Sequence, residues 1–149
     1  MRQFSVFQNR LQWKAFRSHH RAMRLVKQFD DEGCGLACTA MAAGTTYRTV
    51  RAKAFPDGEV HPTSLKQLRE IMETHGVGLG KKLIPFQTRT RKRVPQDLEF
   101  DALLKVNLRQ NGREWHWVLW DHERQRILDP KRPVYKRLRY HSFIRLERS

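Results

Sequence analysis

Residues 28–41 read Gln-Phe-Asp-Asp-Glu-Gly-Cys-Gly-Leu-Ala-Cys-Thr-Ala-Met, QFDDEGCGLACTAM in one-letter code. Spacings of three, four and seven put Cys34, Ala37, Cys38 and Met41 on one helical face, and Gly44 supplies the stop. This predicts a helix over 34–43 with Cys34 in its first turn, where unpaired backbone N–H groups and the macrodipole favour negative charge. A thiol attacks an amide carbonyl efficiently only as thiolate, so a catalytic cysteine needs a helix N-terminus and a cationic partner. Gly33 and Gly35 flank the thiol and are expected to leave room for a substrate backbone. Cys38, one turn deeper, reads as a small buried hydrophobe.

The rest of a cysteine-dependent site has to come from elsewhere in the chain. Gln28, six residues ahead of Cys34, is the candidate side-chain donor for an oxyanion, to act with a backbone N–H. A base is best presented by a strand, and in Trp115-His116-Trp117-Val118-Leu119 the alternation sets His116, Val118 and Trp120 on one face. A hairpin closing near His122-Glu123 brings Asp129 beside His116, where its carboxylate fixes the imidazole tautomer and orientation.

These two stretches carry a family resemblance. QFDDEGCGLACTAM resembles the nucleophile motif of the bacteriocin-processing, double-glycine leader peptidases, a papain-like family with Gln, five residues, then Cys-Gly-x-Ala-Cys. HWVLWDHERQRILDP, residues 116–130, resembles that family's second motif, His followed by apolar strand residues and closing on Asp-Pro. The resemblance covers about residues 25–131. It implies a papain-like fold, with Cys34 as nucleophile, His116 as general base and acid, Asp129 as orienting residue and Gln28 in the oxyanion hole. It also implies a peptide or protein substrate cleaved after paired glycines, with no metal and no cofactor.

Around the motifs, a second helix is expected over 46–54 before Phe55-Pro56. A third begins at Ser64, with Ser64 and Gln67 as a capping box and Leu65, Leu68, Ile71 and Met72 as the buried stripe, and ends at Gly76. Strands follow at about 77–84, 102–109, 114–120 and 126–128, with a basic loop at 88–95 and an Asn111-Gly112 hairpin turn. Helices first and an antiparallel sheet after them describe an α+β domain.

With 149 residues and 39% hydrophobic composition the chain suits one globular domain, assigned to 27–149, behind a basic N-terminal arm at 1–26. In that arm and at its border Arg2, Arg10, Lys14, Arg17, Arg21, Arg24 and Lys27 alternate with Phe4, Phe7, Leu11, Trp13 and Phe16, a partly helical amphipathic pattern. Two cysteines are too few and too local for a secreted disulfide framework. Reduced thiols and the lack of a signal-peptide core point to the cytoplasm, and signal-independent export is compatible with the same features. No stretch approaches the roughly 20 apolar residues of a membrane span.

The 30 Lys plus Arg against 15 Asp plus Glu give a formal charge of +15, a field that attracts an anionic partner such as nucleic acid, cell wall or acidic protein. A second reading therefore makes the papain-like frame a binding module for such a polyanion. A third keeps the enzyme and turns it on peptidoglycan crosslinks or isopeptide bonds. A zinc site from Cys34, Cys38 and His116 falls short of the usual four ligands, and cysteines four apart on a helix do not reach disulfide torsions. The remaining histidines, at 19, 20, 61, 75, 122 and 141, read as structural or solvated.

Overall fold

The computed structural model describes residues 22–148. The arm at 1–26 therefore lies outside the described residues except for its last five. Three helices come first among these residues: α1 (Cys34–Ala43), α2 (Tyr47–Ala54) and α3 (Leu65–Thr74). Six strands follow: β1 (Val77–Leu79), β2 (Ile84–Pro85), β3 (Ala102–Val106), β4 (His116–Asp121), β5 (Arg126–Leu128) and β6 (Tyr140–Arg148). All pair antiparallel in the order β1-β6-β3-β4-β5, with β2 also on β6. The architecture is the expected α+β one.

Helix α1 is small and apolar on every side, and such a helix is stable only when surrounded. Residues 35–42 are all buried. Cys38, Met41 and Ala42 meet Leu103, Trp117, Leu119 and Ile144 of the sheet, while Leu36, Ala37 and Ala40 meet Tyr47 and Val50 of α2. Both neighbours start where the sequence marks them. Thr46 accepts from the Thr49 N–H at the head of α2, and Ser64 and Gln67 form the reciprocal capping box of α3. Leu68 and Met72 of α3 are fully buried, and Leu65 and Ile71 only partly.

The glycines beside Cys34 have a different cause from the expected one. A Cβ on Gly33 would lie 2.0 Å from the Tyr47 hydroxyl, and one on Gly35 would lie 2.5 Å from Thr63 Oγ1. The space beside them is filled by the protein's own side chains, not kept for a substrate.

Strand β6, the longest, has no counterpart in the sequence-based expectation. It pairs with β1, β2 and β3 and so holds the sheet together. Its cue is hidden because Ser142, Phe143 and Ile144 are buried in succession, which erases alternation, and because basic residues crowd the segment. Phe143 faces away from the helices, against Phe86 at 4.9 Å between ring centroids and Phe100 at 6.1 Å. The segment around the basic loop at 88–95 thus uses Phe86, Leu98 and Phe100 to cover the outer face of the sheet. The expected strand at 77–84 is split into β1 and β2, two short partners at different places along β6.

Truncating Phe143 to Ala should cost about 3–5 kcal/mol, because the ring is 1% exposed between two aromatic neighbours. Urea unfolding of the variant measures this. A loss below about 1 kcal/mol would mean that β6 does not hold the sheet together.

Candidate active site

The hairpin joining β4 to β5 sets the first pair of side chains. Its register pairs Leu119 with Leu128 and Asp121 with Arg126. Extended by one residue, it sets Asp129 opposite Val118 and diagonal to His116, within reach of long side chains. His116 Nε2 and Asp129 Oδ1 are 2.7 Å apart, and both side chains are almost wholly buried. The Lys131 backbone N–H donates to the same carboxylate oxygen at 3.0 Å.

With Nε2 engaged by Asp129, the other ring nitrogen is left for Cys34, which lines the same cleft and raises the pKa of the ring. Burial pulls the imidazole pKa down, but the bonds to Asp129 and then Cys34 outweigh it and raise the pKa to about 9. For Asp129, burial pushes upward and the bonds from His116 and the Lys131 N–H prevail, holding the carboxyl below its ordinary value. The pair is therefore charged at neutral pH. Cys38 behaves differently, since complete burial drives its thiol pKa well up and keeps it protonated.

Cys34 stands at the head of α1, which no side chain caps. The turn leading into it is braced. Asp30 accepts from the Tyr47 hydroxyl at 2.6 Å and from Arg51 Nε at 2.9 Å, bonds that hold its carboxyl low. Arg51 also donates to the Gly58 carbonyl at 2.7 Å. The Gln28 N–H donates to the Pro130 carbonyl at 2.9 Å, which ties the approach to Cys34 directly to the segment carrying Asp129.

The side chain of Gln28 is turned into that brace. Its Nε2 donates to the Asp30 and Asp31 carbonyls at 3.0 and 2.9 Å, and its Oε1 is buried without a partner. Both amide protons of Gln28 are thereby engaged by backbone carbonyls. Cys34, His116 and Asp129 are brought together; the Gln28 amide protons are spent on backbone carbonyls.

Cys34 and His116 open into a cleft of about 380 Å³. Trp115 and Tyr135 line it, with Lys105 Nζ 4.1 Å above the Trp115 ring and Tyr135 edge-on to His116 at 5.2 Å. Trp117 also reaches the cleft but is 1% exposed and belongs to the core. Arg109 and Arg113 line the same cleft, with Arg109 paired to Glu114 at 3.3 Å. Tyr135 and the two arginines were not foreseen from sequence. The only local signal for Tyr135 is an aromatic shortly after Asp129-Pro130.

No family model matches the chain, and no curated protein matches it. Solved structures do. A double-glycine motif protease from an AMS/PCAT transporter, crystallised with its leader peptide, superposes with a TM-score of 0.54 at 16% identity, covering 88% of this chain and 96% of that one. The fold is that of the double-glycine peptidase domains. The peptidase domain of Streptococcus ComA, a bifunctional ABC transporter of a quorum-sensing pathway, also superposes at 0.54, with 17% identity over 87% of this chain and 100% of that one. Among the described residues no helix is long and apolar enough to cross a membrane, and no group of three or more His, Cys, Asp or Glu is arranged around a metal.

The charged pair has a pH signature. The folded-state His116 pKa of about 9 lies above its ordinary 6.5, so this group's stabilisation is complete below about 6.5 and is lost as pH rises through 9. Denaturant midpoints measured over that range should fall on the alkaline side, and Asp129→Asn should flatten the fall. An unchanged slope in the variant would show that Asp129 does not hold the imidazolium.

Proposed function

We propose that the chain is a cysteine peptidase that hydrolyses a peptide bond through an acyl-enzyme on Cys34. The observation that carries this reading is the line of three groups: a thiol at an uncapped helix N-terminus, an imidazole raised to about 9 beside it, and a buried carboxylate 2.7 Å behind the ring. Such a line stores the proton that the reaction needs.

In this mechanism the Cys34 thiolate attacks the scissile carbonyl while His116 holds a proton. The carbonyl oxygen develops negative charge against the Cys34 backbone N–H, one of the donors that the start of α1 leaves open. The imidazolium protonates the departing amine, and a thioester remains. Neutral His116 then takes a proton from water, hydroxide attacks the thioester, and the thiolate is regenerated with the acid product. Asp129 keeps Nε2 engaged so that the other nitrogen faces sulfur throughout. Gln28 serves as the second oxyanion donor after releasing one of its two carbonyls.

The substrate in this reading is a peptide with paired glycines before the scissile bond. Its support is the leader peptide named with one structural neighbour and the matching motifs in this chain.

A thiol-directed inhibitor such as a vinyl sulfone, followed by mass mapping, should label Cys34 and leave Cys38 unmodified. Absence of label at Cys34 would end the peptidase reading. Cys34→Ala and His116→Ala should each lower kcat/KM on a double-glycine leader peptide by about 10⁴-fold or more. Replacing either substrate glycine by Val should abolish cleavage, and undiminished turnover would remove the specificity while leaving the chemistry.

Gln28→Ala should cut kcat by about 10²- to 10³-fold with Cys34 labelling unchanged. A parallel fall in labelling and thermal stability would instead make Gln28 only a brace of the turn.

A further inference from the structure

The Cys34 cleft does not end at the reacting groups. It shares Asn107, Arg109 and Glu114 with a second hollow of about 680 Å³, set between the loop joining β3 to β4 and the segment that leads into β6. Arg137 and Arg139 of that segment also line this hollow. Glu114 is the one carboxylate in its lining, and it is already paired with Arg109 at 3.3 Å. Arg137, Arg139 and Arg113, the last in the lining of the cleft, form no ion pair among the described residues.

The frame that carries these arginines is set by the backbone. Asn107 takes a left-handed conformation, φ 52°, which asparagine tolerates better than most residues. Its N–H donates to the Arg139 carbonyl at 2.9 Å, and its Oδ1 accepts from the Arg139 N–H at 2.8 Å. These two bonds clamp the end of β3 to the chain entering β6. Within the loop, the Arg109 N–H donates to the Glu114 carbonyl and the Gly112 N–H to the Arg109 carbonyl, each at 2.9 Å. The backbones of Arg109 and Arg139 therefore stand on one braced frame, and such preorganisation lowers the cost of binding.

On a chain with 30 Lys and Arg a basic patch is the ordinary case, so charge alone assigns nothing here. Its placement does. The only Lys or Arg residues lining the Cys34 cleft are Arg109 and Arg113, both on the β3–β4 loop, so the positive charge is gathered where the cleft meets the hollow. Like charges collected around one space repel. An incoming carboxylate relieves that repulsion and can accept two parallel N–H bonds from a guanidinium fork.

We propose that the hollow between the β3–β4 loop and residues 137–139 is a subsite for an acidic side chain of the peptide substrate, held by Arg109, Arg137 and Arg139. The assignment rests on the reading of Cys34 as a peptidase nucleophile, because a peptide laid along the cleft is what brings a carboxylate to this place. It adds to the glycines at the scissile bond a charge requirement at a fixed distance from them.

A set of fluorescent double-glycine leader peptides, with Glu or Gln placed in turn at each position on either side of the glycines, tests this by binding to the Cys34→Ala protein. At one position, or two adjacent ones, Glu should bind about tenfold more tightly than Gln. The Arg137→Glu, Arg139→Glu double variant should lose this preference, and an Arg89→Glu, Arg91→Glu control with the same change of net charge should keep it. All four residues are exposed, so the fold should tolerate the changes. No preference at any position, a small uniform preference at all of them, or equal loss in the control would overturn the subsite. Displacement of the Glu peptide by a short single-stranded DNA at lower concentration than by unlabelled Glu peptide would assign the arginines to nucleic acid and overturn it as well.

The binding measurement needs no turnover. Loss of the preference while a vinyl sulfone still labels Cys34 in the unaltered chain would remove the subsite alone. A clear Glu preference in a chain whose Cys34 takes no label would instead remove the peptidase reading.

Discussion

Helix α1 has no polar face, and the arrangement around Cys34 follows from the need to surround it. Its small residues let the sheet approach on one side and α2 on the other, so the helix is trapped with a single direction of exit, through its first turn. That turn is where Cys34 stands, half-buried, with Cys38 sealed behind it. A longer or more polar helix in this place would leave either unsatisfied groups or voids, and both are costly in a close-packed interior.

The same burial explains why the approach to Cys34 is so heavily tied down. An uncapped helix start next to a cleft is a weak point, because its N–H groups have no intrahelical partner. Here the preceding turn is held by Asp30 between Tyr47 and Arg51, by Gln28 on two carbonyls, and by the Gln28 N–H on Pro130. The last contact couples the two halves of the site, so the thiol and the carboxylate behind His116 are fixed in one frame. The clearance at Gly33 belongs to this bracing, since the Tyr47 hydroxyl that binds Asp30 fills it.

Electrostatics acts at two ranges. The overall charge of +15 is a property of the surface and says little about any one place on it. Within it, desolvation and short contacts decide local behaviour: the Asp129 and His116 pair stays ionised because each is the other's nearest partner away from water.

Local pattern alone determined the three helices, the Ser64–Gln67 capping box and the β4–β5 hairpin, because each rests on short spacings: helical period, cap spacing, strand alternation and a tight turn near His122; the same spacings marked Cys34, His116 and Asp129 as candidates. The fold keeps the double-glycine peptidase shape at 16–17% identity, as expected when such spacings carry it. Tertiary structure decided what depends on distant partners. Strand β6 is invisible in sequence because covering on both faces removes its alternation, and Phe86, Leu98 and Phe100 become core only when the sheet they cover exists. It also decided that the spaces at Gly33 and Gly35 are filled by Tyr47 and Thr63, and that the Gln28 amide rests on two backbone carbonyls. Spacing places a side chain on a face, but only the folded chain determines which atoms fill the space beside it.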